Sequence, residues 1–435
     1  MKKAALHNLG CKVNAYETEA MRQLLEDAGY EITAFSDVAD VYVVNTCSVT
    51  GVADHKSRQM LHRARKKNPS AVVVAAGCYV QTGEGRGELD GIADLIVGNN
   101  EKHRLPALLA EYESSRIPVK CVADLNGGTS AYEELSLRNV AEHTRAFVKV
   151  QDGCNQFCSY CIIPYARGRI RSRRQEDVLA EIRALVKNGC LEVVLTGIHL
   201  GSYGRDTGES LSGLIAAVCA VEGVERVRLG SLEPGVMTEE FVSALAVLPK
   251  LCPHFHLSLQ SGCDTVLSRM NRHYTTAEYE AVCARIRTHF THPAITTDVI
   301  VGFPGETEEE FGETLAFLRR IRFYELHIFK YSRRAGTKAA DLPDQVPEQK
   351  KAERSAVLFE EERRMSREFR DYYIGKTVTA LTEETCEIDG VRYVTGYTKE
   401  YLKVALLSET ERTNCLVRGT VSGQLAQDLY LLVEF

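Results

Sequence analysis

The stretch from Gln151 to Arg174, QDGCNQFCSYCIIPYARGRIRSRR, sets Cys154, Cys158 and Cys161 in the spacing C-x3-C-x2-C. Three thiolates this close in sequence can wrap one small inorganic core. An iron–sulfur cube has four irons and normally takes four cysteines, so a trio leaves one iron open to something that is not protein. Closely spaced cysteines also hold zinc, and buried free cysteine is a common core residue. Zinc wants a fourth ligand, yet Asn155, Gln156, Phe157 and Ser159 between the thiols offer no imidazole or carboxylate, and no second C-x2-C or H-x3-H pair follows. The spacing favours a cluster, with zinc or bare thiols still open.

From Arg145 to Tyr331 the chain alternates strand and helix patterns. Strands are expected at Phe147–Gln151, Val193–Thr196, Val227–Gly230, Phe255–Leu259, Thr296–Val301 and Tyr324–Lys330, with helical periodicity between them, as over Glu176–Asn188 and Glu308–Arg320. Such alternation builds a parallel sheet with helices outside, here a partial barrel of about six units whose site lies at the strand C-terminal ends. Those ends carry Thr196-Gly197-Ile198-His199, Ser231-Leu232-Glu233-Pro234, Gln260-Ser261-Gly262, Asp298, and Gly302-Phe303-Pro304-Gly305-Glu306. Glycines let backbone approach a ligand closely, and Glu233, Gln260 and Asp298 offer acceptors for an ammonium group or ribose hydroxyls. Singly, each has a plain structural alternative, since Gly-Phe-Pro-Gly is usually a turn and a strand-end Asp is often a helix cap. His199, His254 and His256 receive no catalytic role, because strand histidines are more often packed or hydrogen-bonded than ligating.

Upstream, Ala4–Leu9, Val41–Asn45 and Ala71–Ala76 are apolar runs of strand length, followed closely by Cys11, Cys47 and Cys78. Asn14 with Glu17 three residues on reads as a helix start, and Ala20, Met21, Leu24, Leu25 and Ala28 form an apolar stripe after it. The expected unit is a small parallel α/β domain. Ligand sites in such sheets form at the carboxyl ends of the strands, so three cysteines at equivalent ends can converge on one point. The alternative is three unrelated buried thiols. Gly83–Gly91 reads as a surface loop, and GEGRG lacks the Lys-Ser or Lys-Thr and the preceding strand of a phosphate cradle. Glu111–Thr144 reads as a connection between domains, with Cys121 a spare thiol in it.

Composition bounds the rest. At 435 residues, 44% hydrophobic and 26% charged, the chain suggests an ordinary globular protein of several domains. Its N-terminal apolar run is cut by His7, Asn8 and Gly10 and does not read as a signal peptide, and no segment reaches bilayer length. Fourteen cysteines without secretory signals speak for reduced thiols in a cytoplasmic setting. The net charge of −6 hides two basic runs: six Lys or Arg between Lys56 and Lys67, and Arg167, Arg169, Arg171, Arg173 and Arg174. Such density suits phosphate binding, whereas a lone run is usually a solvated face.

After Tyr331 comes a polar segment with Gly336, Pro343 and Pro347, then a charged helix from about Glu348 to Tyr372 that suits an exposed connector. Beyond Gly375 the period switches to two. Strands at Thr377–Leu381, Val391–Thr395, Leu402–Leu406, Leu416–Thr420 and Leu429–Val433 imply a small antiparallel barrel. Residues 371–435 hold ten acids against six bases, so RNA binding there would rest on shape, on Tyr393, Tyr397 and Tyr401, or on Lys399 and Lys403.

The run CNQFCSYCIIPYARGR resembles the cluster loop of radical S-adenosylmethionine (SAM) enzymes, and specifically of the methylthiotransferases; NLGCKVNAYET, VVNTCSVT and AAGCYVQ resemble that family's three N-terminal cysteine loops. The resemblance covers nearly the whole chain. It implies an N-terminal domain (1–115) whose Cys11, Cys47 and Cys78 hold an auxiliary [4Fe-4S] cluster, a radical SAM core (140–370) whose Cys154, Cys158 and Cys161 hold a second, and a C-terminal domain (371–435) similar to the OB-like TRAM module. It further implies that the open iron chelates SAM and cleaves it to a 5'-deoxyadenosyl radical, with Gly197 near the methionine amine, Tyr160, Phe303 and Pro304 near adenine, and Glu233, Gln260 and Asp298 around the cavity. The implied substrate is tRNA carrying a modified adenosine next to the anticodon. One SAM would methylate a sulfur held at the auxiliary cluster, and a second would yield the radical that removes the C2 hydrogen. CNQFCSYCIIPYARGR with LTGIHLGSYG looks most like the branch acting on N6-threonylcarbamoyladenosine. The isopentenyladenosine branch, the ribosomal-protein branch and a non-catalytic RNA-binding iron–sulfur protein remain alternatives. Implied partners are a one-electron reductant such as a flavodoxin or ferredoxin, and a sulfur donor whose identity the sequence leaves open.

Overall fold

The computed structural model describes residues 1–83, 87–128, 131–139, 144–408, 410 and 412–435. Valine-rich runs near the N-terminus form a six-stranded, all-parallel sheet of β1 (Lys3–Asn8), β2 (Glu31–Thr33), β3 (Val41–Thr46), β4 (Val72–Gly77), β5 (Leu95–Val97) and β6 (Val119–Cys121), in the order β2-β1-β3-β4-β5-β6. Strands β3 and β4 are buried along their whole length, as parallel strands covered on both faces must be. Val41 and Val43 pack with Met21 and Leu25 of α1 (Lys12–Asp27), whereas Tyr42 and Val44 pack with Leu61 and Ala64 of α2 (Gly51–Lys67). The short α3 (Cys78–Gln81) follows β4, and α4 (Leu105–Ser115) lies on the α1 face.

The middle unit comprises β7 (Arg145–Asp152), β8 (Arg171–Ser172), β9 (Glu192–Gly197), β10 (Arg226–Leu229), β11 (His254–His256), β12 (Ala294–Val301) and β13 (Glu325–Lys330). Ladders β8-β7-β9-β10 and β11-β12-β13 are linked by the parallel bridges Val227 to Leu251 and Leu232 to Leu257. Apart from β8, which runs antiparallel to β7, the strands are parallel, giving a partial six-unit barrel. Its helices are α5 (Ile163–Arg167), α6 (Gln175–Lys187), α7 (Leu211–Cys219), α8 (Glu239–Ala246), α9 (Asp264–Arg269), α10 (Thr276–His289), α11 (Glu308–Ile321) and α12 (Glu348–Asp371). Capping boxes Thr275/Glu278 and Thr307/Glu310 start α10 and α11. Val193, Leu195, Val227, Leu229, Phe255 and Leu326 pack outward in the main core. Period-two geometry therefore turns Arg226, Arg228, His254, His256, Asp298 and His327 to the interior face, which is polar.

Five strands, β14 (Thr377–Ile388), β15 (Val391–Thr398), β16 (Lys403–Leu407), β17 (Leu416–Ala426) and β18 (Leu429–Glu434), close a barrel in the order β14-β15-β16-β18-β17. The β14–β15 hairpin turns on Asp389-Gly390, both at positive φ, as a two-residue hairpin requires. The expected antiparallel barrel needs one amendment: β16 and β18 pair in parallel, because β18 crosses over to lie beside β16 rather than extending a meander.

Other expectations are corrected. Helix α1 begins at Lys12 with Cys11 as its N-cap, so Asn14 and Glu17 lie inside the helix and turn to another use. The supposed connection 111–144 contains the end of α4, edge strand β6 bearing Cys121, and Leu135 and Leu137 buried in the barrel core. Helix α12 is no exposed connector; Leu358, Met365 and Phe369 are buried, and Arg354 pairs with Glu306 at 2.6 Å. Of the glycine-rich loop, residues 84–86 lie outside the described set.

Candidate active site

Because β1, β3 and β4 are neighbours in one parallel sheet, the residues after them come together. Cys11 caps α1, Cys47 follows β3, and Cys78 opens α3. Gly10 allows the approach. It sits at φ +105°, and a Cβ there would lie 2.8 Å from both Cβ and Sγ of Cys47. Asn99 donates to Cys78 Sγ at 3.5 Å and to the Ala166 carbonyl at 2.8 Å, tying this trio to the barrel's cysteine loop. Burial pushes the Cys47 thiol up to about 12, with the Cys78 and Cys11 thiols adding to the rise.

At the C-terminal end of β7, Cys154 donates its N–H to the Gly168 carbonyl at 3.0 Å and Cys161 donates to the Cys158 carbonyl at 2.9 Å. The sulfurs receive donors in turn: Gln156 N–H to Cys154 Sγ at 3.4 Å and Arg272 Nη1 to Cys158 Sγ at 3.1 Å. Burial raises Cys154 to about 11 and Cys161 to about 12, and the neighbouring thiols add to both. Three thiolates here demand a compensating positive centre, which an iron core supplies. Among the described residues no three His, Cys, Asp or Glu side chains converge on one ion. A multi-iron core, where each sulfur takes a different iron, needs thiols within reach of one another, and within each trio the thiols perturb one another. Both trios fit such a group.

Around this loop, Glu233 is the hub. His199 Nε2 lies 2.7 Å from Oε2, Gln156 Nε2 donates to Oε2 at 2.9 Å, and Arg272 Nη2 lies 2.7 Å from Oε1. Burial works against the carboxylate, but His199 and Arg272 outweigh it and hold Glu233 below its ordinary pKa. His199 also meets Ser202 through Nδ1 and donates its backbone N–H to Gln151 Oε1 at 2.7 Å. Gly197 is forced by that same Gln151: a Cβ would stand 2.8 Å from its Oε1 and 2.9 Å from its Cβ. Tyr160 is half-buried and sets its ring edge-on to buried Phe303 (centroids 6.5 Å), which rests on Tyr331 (5.4 Å); Pro304 is buried beside them. Gln260 is buried at φ +72°, its N–H bonded to the Asp298 carbonyl at 2.9 Å. Asp298 itself turns inward to His256 (3.2 Å), farther down the barrel interior.

The structure thus brings Glu233, Gly197 and the Cys154 loop together, while Asp298 joins a histidine pair. Sequence reasoning missed Arg272 and set His199 aside. The i, i+2 step from Arg272 to Tyr274, which stack at 4.9 Å, carries no motif that would have announced them. The second basic run is also reassigned. Arg167, Arg171 and Arg173 are 0%, 4% and 3% exposed and engage Glu17, Asp152 and Glu181 rather than solvent.

The family model described as Radical SAM superfamily matches residues 148–318, and that described as Uncharacterized protein family UPF0004 matches 3–98. Curated relatives include the threonylcarbamoyladenosine tRNA methylthiotransferase MtaB of Bacillus subtilis, 40% identical over 96% of this chain and 93% of that protein. A tRNA-2-methylthio-N(6)-dimethylallyladenosine synthase of Acetivibrio thermocellus is 37% identical over 87% of this chain and 80% of that protein. Among solved structures, the radical S-adenosylmethionine methyltransferase TsrM of Kitasatospora setae superposes with a TM-score of 0.58 at 15% identity, covering 78% of this chain and 74% of that one, a likeness of fold. Barrel and cysteine loop define a radical SAM protein. This chain belongs to the radical SAM methylthiotransferase family.

Proposed function

We propose that the chain adds a methylthio group to C2 of N6-threonylcarbamoyladenosine in tRNA, next to the anticodon. The observation that carries this reading is the pair of cysteine trios linked through Asn99, which donates both to Cys78 and to the helix after the Cys154 loop, in a chain that aligns end to end with a relative bearing that name. Two [4Fe-4S] clusters and SAM supply the one-electron cleavage, the sulfur site and the methyl group.

In this reading Cys154, Cys158 and Cys161 hold the SAM-binding cluster, and Cys11, Cys47 and Cys78 the auxiliary one. Arg272 and the Gln156 N–H donate to the first trio's sulfurs, which stabilises their anionic form. Glu233, fixed from three sides, accepts from the methionine ammonium alongside the backbone at Gly197. Tyr160 lies against adenine with Phe303 and Pro304 behind it, and Gln260 and Asp298 complete the surroundings of SAM. The domain assignment is 1–115, 140–370 and 371–435, with β6 completing the first sheet beyond its nominal end.

The exposed face of α2, with Lys56, Arg63, Lys66 and Lys67, is the basic run left free for tRNA phosphates. A small one-electron carrier such as a flavodoxin or ferredoxin supplies reducing equivalents, and the setting is cytoplasmic. Among the described residues no helix is long and apolar enough to cross a membrane.

Mass spectrometry of tRNA from cells lacking the gene tests the substrate. The methylthio-threonylcarbamoyl nucleoside should vanish and return with the gene; its persistence, with no second enzyme to make it, contradicts the assignment. Release of 5'-deoxyadenosine from SAM and reductant separates an enzyme from a non-catalytic RNA binder.

A further inference from the structure

A cavity of about 490 Å³ opens at the seam between the two cysteine-bearing units. Gln81 and Val122 line it from the N-terminal unit, Ile162 and Tyr165 from the end of the cysteine loop and α5, and Ala335 and Gly336 from the segment after β13. Its size lies within the range of small-ligand sites, about 300–1,000 Å³. The surroundings of both trios fix its walls. Gln81 ends the helix that Cys78 opens; its Oε1 accepts the Asn99 N–H at 2.8 Å and its Nε2 donates to the Ala123 carbonyl at 2.8 Å. The Ala339 N–H donates to the Ser159 carbonyl, between Cys158 and Cys161, at 2.7 Å. Arg334 reaches Asp54 of α2 and donates to Ser48 Oγ at 2.8 Å, and Ser332 Oγ accepts the Gly51 N–H at 3.1 Å. The segment 332–339 is thus pinned to the start of α2 at one end and to the Cys161 loop at the other.

Tyr165 is 40% exposed, half-buried Phe157 stands edge-on to it (centroids 5.9 Å), and the Arg169 guanidinium lies 4.7 Å over the Phe157 ring. Arg169 donates only to the Pro164 carbonyl at 3.4 Å, and Arg333 and Lys338 are exposed on either side of Ala335-Gly336. None of these three cations meets a carboxylate among the described residues. Asp124 and Asn126 also line the cavity. Asp124 Oδ1 accepts the Asn126 and Gly127 N–H groups at 2.9 and 3.1 Å, and Asn126 Nδ2 donates to the Tyr165 carbonyl at 3.1 Å. Asp124 Oδ2 and Asn126 Oδ1 remain as acceptors without donors among the described residues. An accessible aromatic ring, acceptors for a base edge and unpaired cations nearby are the parts by which proteins hold unpaired RNA bases.

We propose that this cavity takes an unpaired RNA base, that of a nucleotide flanking the modified adenosine, stacked on Tyr165, with Arg169, Arg333 and Lys338 meeting the adjoining phosphates. The proposal rests on the tRNA reading and extends the basic face of α2, to whose first turn the segment 332–334 is tied. An adenosine drawn out of the loop stack leaves its neighbours short of a stacking partner, which Tyr165 replaces.

The test measures binding of anticodon stem-loop RNAs to the reconstituted full chain. The parent RNA carries N6-threonylcarbamoyladenosine, and two others carry in addition an abasic site 5' or 3' to it. The wild type should bind one of the abasic RNAs roughly tenfold or more weaker than the parent. Tyr165→Ala should weaken the parent by a similar factor and lose nothing further on that abasic RNA, a coupling that a merely disturbed loop would not produce, and Tyr165→Phe should behave as the wild type. The double variant Arg333→Ala/Lys338→Ala should weaken all three RNAs alike and flatten the salt dependence. Undiminished binding of both abasic RNAs by the wild type overturns the proposal, as do independent, additive losses from Tyr165→Ala and the abasic site. So does an unchanged RNA affinity of Tyr165→Ala with slower reduction by a flavodoxin, which would make this a protein-docking face. A wild type that binds no stem-loop at all overturns the tRNA reading as well, whereas the other contrary results leave that reading standing.

Discussion

Arg167 and Glu17 meet in a two-pronged ion pair, Nη1 to Oε1 at 2.7 Å and Nη2 to Oε2 at 3.0 Å, with neither side chain exposed. Arg167 ends the helix after the barrel's cysteine loop, and Glu17 lies on the helix that Cys11 caps. The pair joins the surroundings of both trios. Asn14 accepts from the same guanidinium at 2.7 Å, and Lys102 and Lys149 approach Glu17 at 3.1 and 2.8 Å. Burial opposes the Glu17 carboxylate, yet Arg167 and the two lysines hold it well below its ordinary pKa.

Removing one partner of a buried pair leaves the other charge stranded. Arg167→Leu should lower stability by about 3–5 kcal/mol in denaturant unfolding of the holoprotein, far beyond the ~0–1 kcal/mol of a surface pair. As a comparison, Arg174→Leu removes an exposed arginine 3.3 Å from exposed Glu176 and should change little. Equal effects from the two would show that the network contributes nothing special.

Gly197→Ala should weaken SAM binding through Gln151. The new Cβ would overlap that side chain, which must move and release the His199 N–H. Overpacking of this kind costs about 1–3 kcal/mol, so the SAM dissociation constant should rise roughly tenfold or more in equilibrium dialysis. Iron content should stay that of the wild type. Unchanged affinity would place the methionine end elsewhere.

Glu310 provides a pH-dependent contribution away from the clusters. It closes the α11 capping box, and Arg269 donates to it from two nitrogens, each at 2.8 Å. The Arg269 hydrogen bonds, aided by Thr265, depress its pKa from 4.5 to about 2. A depressed carboxylate stabilises the fold above its unfolded pKa and ceases to as pH falls toward the folded one. The stability gap between wild type and Glu310→Gln should therefore be full above about pH 4.5, on the order of 1 kcal/mol after screening, and shrink toward pH 2. A gap independent of pH would mean that shape, not charge, carries the contact.

Much of the architecture was legible because period and punctuation are local. Valine runs ending at Cys47 and Cys78, the alternation after Arg145 and the period-two switch after Gly375 each mark an element without tertiary information. Short strands such as β5 and β6 escaped, since three residues carry no period. What failed was charge. Arg167, Arg171 and Arg173 look like a phosphate patch in sequence because their acids, Glu17, Asp152 and Glu181, lie at other places in the chain. Asn14 and Glu17 imitate a capping box for the same reason: their partner is Arg167, some 150 residues away. The strand-end residues were found as a set, but the His199–Glu233–Arg272 arrangement exists only once the ends of β9 and β10 and the loop after α9 are brought together.

Iron and acid-labile sulfide, measured after anaerobic reconstitution, test the central claim most directly. With each trio holding one cube, the wild type should bind about eight irons, and both the Cys154/Cys158/Cys161→Ala and the Cys11/Cys47/Cys78→Ala proteins about four. A wild type that saturates near four irons, or a triple variant that keeps the full complement, would contradict the account.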